Sequence, residues 1–157
     1  MKVTLSYGKP SNKSWKVKGG DANTLFANLN KNGFWGRYRS NVSASWSGKG
    51  AKIDAFKLTA KPVVLMPSWT EYSKIKAGQK SWDKMWKALK KHEDNHHTIF
   101  DTSAKAFKKK LEVEGDLDPK DMKKTWETYQ KDAQKLQDDY DKKSKHGKNE
   151  GVILDAW

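Results

Sequence analysis

The sequence predicts an α+β domain, a small, mostly antiparallel N-terminal sheet packed on two long C-terminal helices. Three observations carry this reading. Residues 1–68 are rich in Gly, Ser, Asn and β-forming side chains, whereas residues 69–157 are charged and helical in pattern. The second part holds two apolar stripes at three-and-four spacing. No internal repeat and no long linker divides the 157 residues, a length that suits one core and one domain. Only 35% of residues are hydrophobic, yet there are eight Trp, five Tyr and five Phe, which a disordered chain would lack.

Taken in order, "KVTLSY" at 2–7, "RYRSNVSASW" at 37–46 and "IDAFKLTAKPVVLMP" at 53–67 have the alternation or β-branched content of strands. Breaks containing Gly, "KGGD", "NGFWG" and "SGKG", separate them. The first long helix is expected from about Ser81 to Val113, with Trp82, Met85, Trp86, Leu89, Ile99, Phe100, Ala104, Phe107 and Leu111 on its buried stripe. The second begins at Asp118 as N-cap with Pro119 in the first turn. It carries Met122, Trp126, Tyr129, Ala133, Leu136 and Tyr140 inward and stops near Gly147. A short acidic loop joins the two helices, so they should pack antiparallel.

Composition narrows the function classes. The net charge of +13 is almost all Lys; Arg37 and Arg39 are the only arginines. Such a surface attracts anionic polymers loosely, while sequence-specific DNA readers draw more on the guanidinium fork. The absence of Cys removes disulfides and thiolate metal sites. No segment has the length and apolarity of a membrane span, and "MKVTLSYGKPSNKSW" lacks the apolar core of a signal peptide. The chain therefore stays in the cytoplasm, has lost a leader or leaves by another route.

The stripe of the first helix is interrupted by His92, Glu93 and His96, which continue its spacing; His97 faces away. His92-Glu93-Asp94-Asn95-His96 is H-E-x-x-H. Histidines four apart stand one turn above each other and can share a Zn²⁺, with the adjacent Glu as general base on the water that zinc activates. Inward placement favours a ligand, because imidazoles buried without partners are costly. Asp101 points elsewhere, about 140° around the helix from His96. A third ligand must come from another element: Glu127 and Asp132 on the second helix, or His146 near its end.

Over "AKPVVLMPSW", "SWDKMWKALKKHEDNHHTIFD" and "DDYDKKSKHGKNEG" the chain resembles the bacterial DUF922 family, whose members are described as predicted secreted zinc-dependent proteases. The family's later Tyr-Asp-x-x-[Ser/Thr]-x-His-Gly segment is matched by Tyr140, Asp141, Ser144, His146 and Gly147. The chain departs from the pattern at Asn95-His96-His97, where a small residue would precede the second histidine, and the first sixty residues or so carry little of the likeness. The resemblance implies a zincin-like fold, His146 as third zinc ligand and Asp141 as its orienter or substitute. It also implies Tyr140 as donor to the developing oxyanion, and secretion or a periplasmic location.

The function expected is zinc-dependent amide hydrolysis by a monomer, on a protein or peptide or, as second choice, a cell-wall peptide, with the lysine surface drawn to an anionic polymer. "AFKLTAKPVVLMP" is the candidate edge strand for an extended substrate, with Pro62 at a position that tolerates a missing N–H. Two other classes share the composition: a metal-dependent nuclease, and a non-enzymatic module that binds nucleic acid or a wall polymer through Lys and through Trp35, Tyr38 and Trp46.

Overall fold

A computed structural model describes residues 1–157. The fold is α+β, with β1 (Lys2–Ser6), β2 (Ser11–Val17), α1 (Ala22–Lys31), β3 (Arg37–Arg39), β4 (Val42–Lys49), β5 (Lys52–Ala60), β6 (Val63–Trp69), α2 (Lys76–Glu114) and α3 (Pro119–Ser144). A 3-10 turn at Lys148–Glu150 follows. No helix is long and apolar enough to cross a membrane.

The single sheet expected is instead two three-stranded sheets, ordered β1-β5-β4 and β2-β6-β3. Each contains one parallel and one antiparallel pairing, so "mostly antiparallel" is also corrected. Alternation in sequence reports which face of a strand is buried, not the direction of its neighbour. The "IDAFKLTAKPVVLMP" and "RYRSNVSASW" segments each supply two strands, one to each sheet, broken at Lys61–Pro62 and at Ser40–Asn41. Pro62 cannot donate to a ladder, and Asn41 takes a positive φ of 47° while its Nδ2 donates to the Lys61 carbonyl. The sheets thus meet at a crease. β5 and β6 are both central strands, so "AFKLTAKPVVLMP" is not an edge and Pro62 lies between sheets.

Two elements had no counterpart in the strand-and-helix expectation. β2 is mostly exposed along its length and therefore lacks an alternating signature. α1 is capped by Asp21, which accepts from the Thr24 N–H, and it buries only Leu25 and Leu29. α2 begins five residues before Ser81, without a side-chain cap to mark the start, and ends against Gly115 at φ 72°. α3 starts as expected, with Asp118 accepting from the Asp121 N–H at 2.8 Å.

α2 is the spine of the molecule. Its C-terminal part packs with α3 against the first sheet through Phe56, Phe107, Leu111, Met122 and Trp126. Its N-terminal part packs against the second sheet and α1 through Leu25, Leu29, Met66, Trp82 and Met85. α2 and α3 run antiparallel, as expected: Phe107 stacks on Tyr129, while farther up His96 reaches Gln137 and His92 reaches Asp141. Leu136 departs from the expected stripe, being about half exposed. Above Ala133 the inward positions of α3 turn polar, through Gln137, Asp141 and Ser144, and there the site begins.

Candidate metal centre

His92, Glu93 and His96 are buried, at 3%, 4% and 7% exposure, between Leu89 and Phe100 on α2. One stripe therefore carries both the core and the polar cluster. His97 faces Tyr38, whose hydroxyl lies 3.0 Å from its Nδ1. Asp101, as expected, points elsewhere: it accepts from Tyr7 Oη and Lys105 Nζ.

From α3, Asp141 brings Oδ1 to 3.1 Å from His92 Nε2 and 2.9 Å from His96 Nε2. These three residues form a group that could hold a metal ion, their ligand atoms lying within 4.8 Å of one another. Glu127 and Asp132 are exposed on α3 outside that group. His146 stands at the mouth with an 83% exposed side chain, its Nδ1 4.0 Å from the other Asp141 oxygen, Oδ2.

The end of α3 turns sharply. Lys145, His146 and Gly147 all take positive φ, at 51°, 53° and 85°. The turn lays the 3-10 segment back over α2, so that Glu150 Oε2 accepts from His92 Nδ1 at 2.6 Å. Glu150 Oε1 accepts from Tyr140 Oη at 2.6 Å, and Asn95 Nδ2 donates to the same hydroxyl. The Tyr140 ring stacks on His92 with centroids 4.9 Å apart. Tyr140 thus braces the His92–Glu150 pair, and its hydroxyl hydrogen is committed to a carboxylate. A Cβ on Gly147 would fall 2.6 Å from Val152 Cγ2 and 3.3 Å from the His92 ring, so the turn needs glycine for shape as well as for φ. Gly147→Ala should lower stability by about 2 kcal/mol in urea unfolding.

The donor set fits a cation. A neutral imidazole carries one N–H and one lone pair. Both nitrogens of both histidines here face acceptors: Glu150 and Asp141 for His92, Gln137 Oε1 and Asp141 for His96. Gln137 cannot flip to help, because its Nε2 donates to the His96 carbonyl at 3.0 Å. In the absence of a cation, satisfying every contact takes two imidazolium rings 4.9 Å apart. A divalent cation would remove that requirement: each Nδ1–H could keep its acceptor, leaving His92 Nε2, His96 Nε2 and Asp141 Oδ1 as the atoms that would hold the ion.

The electrostatics agree. Burial pulls both histidine pKa values down, but the hydrogen bonds to Asp141, aided by Glu150 and Gln137 respectively, raise them overall. Burial would raise Asp141, yet its bonds to His92 and His96 hold it well below the usual carboxylate range. Glu93 is pushed up to about 6 by burial, against the pull of His96 and His92. It bonds neither histidine; it faces the Gly36–Tyr38 segment, where a Cβ on Gly36 would meet Glu93 Oε1 at 2.8 Å. The missing side chain lets β3 approach the carboxylate.

The site opens into a cleft of about 1230 Å³ between the segment around β3 on one side and the end of α3 with Val152–Leu154 on the other. Gln137, Glu150 and Gly36 were not singled out in the sequence. Gln137 had a signal, being one turn before Asp141 on the same face. Glu150 and Gly36 had none, since their roles depend on the turn after α3 and on the crease.

A family model described as "Bacterial protein of unknown function (DUF922)" matches residues 13–147. No curated protein and no solved structure matches the chain.

Proposed function

We infer that this chain, which belongs to the DUF922 family of bacterial proteins of unknown function, is a zinc-dependent hydrolase of amide bonds with a zincin-like arrangement of helix and edge strand. The observation that carries the reading is the convergence of His92 Nε2 and His96 Nε2 on Asp141 Oδ1, with Glu93 on the same helix facing the cleft.

His92, His96 and Asp141 would hold the ion. His146 takes the outer place beside Asp141 Oδ2, so of the two roles open to Asp141 this reading takes the substitute ligand and moves His146 from ligand to orienter. Zinc, when bound, would polarise a substrate carbonyl and acidify water. Glu93 does the proton work: its carboxylate takes a proton from the attacking water and returns it to the leaving nitrogen. Glu150 and Gln137 fix the two imidazoles, and Tyr140 holds Glu150.

β3, rather than the β5–β6 segment, serves as the substrate edge. It is the outer strand of its sheet, and its three residues line the same cleft as Glu93, His92 and His96. An extended peptide pairing there passes the cluster. A protein or peptide remains the substrate of choice, acted on outside the cytoplasm by a monomer.

Elemental analysis of chain purified without chelator and with zinc supplied should find about one zinc per chain. Casein hydrolysis should stop with 1,10-phenanthroline and return with added zinc. A chain free of zinc under those conditions overturns the reading.

A further inference from the structure

Among the 32 Lys and Arg of this chain only Arg37 and Arg39 are arginines, and both lie on β3, the strand that borders the cleft. They are exposed, two apart, and so project to the same face of the strand; Tyr38 between them turns to α2, against His96 and His97. Neither takes part in any ion pair of the molecule. Lysines elsewhere do pair, six of them with an acid one helical turn along. Arg37 is steadied without a carboxylate, its Cζ 5.2 Å from the centre of the Phe34 ring.

Two unpaired guanidiniums on an edge strand are a recognition element for carboxylates. The guanidinium presents a planar fork that accepts a carboxylate bidentately, which an ammonium does not. A peptide added to the free edge of β3 would place every second side chain on the face of Arg37 and Arg39, about 5 Å away across the strands. We propose that the segment bound along β3 carries acidic side chains at alternate positions, read by Arg37 and Arg39, so that the substrate class is an acidic extended peptide. This rests on the peptidase reading for its placement of the peptide, but its chemistry is tested by binding alone.

The test uses zinc-supplied full-length Glu93→Gln protein, in which no cleavage consumes the probe, and fluorescence anisotropy with labelled peptides of about ten residues, alternating Glu-Ala or Gln-Ala. The Glu-Ala probe should bind at least about tenfold more tightly than the Gln-Ala probe. Replacing both arginines, Arg37→Gln with Arg39→Gln, should shrink that advantage to about twofold. Removing equal charge from exposed helix positions, Lys109→Gln with Lys124→Gln, should leave most of it. Equal loss in the two double variants would assign the preference to general basicity and overturn the proposal, as would no preference at the outset. A chain that binds no zinc and cleaves nothing, yet keeps the arginine-dependent preference, would retain this inference and discard the hydrolase.

Discussion

Glu93→Gln is expected to keep about one zinc per chain and to lose hydrolysis by about a thousandfold or more, since general-base catalysis contributes roughly 10²–10⁴. The separation of the two readouts is the point. No hydrogen bond joins Glu93 to Asp141 or to the ring nitrogens that converge on it, so an isosteric amide should leave the three ligand atoms where they are. What is lost is a carboxylate that burial raises to about 6. A base must be unprotonated, so hydrolysis should fall as pH drops toward that range, and a bound cation, by favouring the charged form, moves the acid limb lower still. Glu93→Gln protein that hydrolyses casein at an undiminished rate would remove Glu93 from the chemistry.

Asp141→Ala should empty the site, whereas His146→Ala should weaken zinc by no more than about 10–100-fold, the range for groups that orient a ligand. Competition with a chromophoric chelator reads both. Asp141 is the only acidic side chain that both Nε2 atoms face, and its removal leaves two imidazoles aimed at nothing. His146 is mostly in solvent, and its nearest approach to the cluster is 4.0 Å to the far oxygen of Asp141. If instead His146→Ala empties the site while Asp141→Ala retains zinc, the side chain of His146 swings inward on binding and the order expected from the sequence stands.

The sequence disclosed the part of the site that one helix carries. His92, Glu93 and His96 follow the spacing of the surrounding apolar stripe, so their burial could be read from periodicity alone. The two helices, their antiparallel packing and the Asp118 cap were readable for the same reason: each depends on residues within a turn or two. The remainder depends on long-range geometry. Asp141 and His146 sit five apart around the end of α3, and only the left-handed turn from Lys145 to Gly147 decides which one faces inward. Similarly, alternation identified the strand-forming residues of "IDAFKLTAKPVVLMP" but not the crease at Pro62 that makes both halves central strands. α1 was legible in principle, since Asp21 precedes Leu25 and Leu29 at helical spacing, but the glycines of "KGGD" masked it.

The break in the α2 stripe has a consequence for how the molecule comes apart. Leu89 belongs to one apolar cluster and Phe100 to the other, and Tyr38 is the one side chain that packs against both. Between them the contact is made of ionisable groups whose mutual attraction depends on what neutralises them. Cooperativity of unfolding is therefore vested in the polar cluster as much as in the apolar packing. A cation held by His92, His96 and Asp141 would tie α2 to α3, and the two halves should then melt as one unit. Without it they should unfold in separate steps, which calorimetry with and without zinc would read. The residues that read as chemistry serve also as the keystone of a two-part fold.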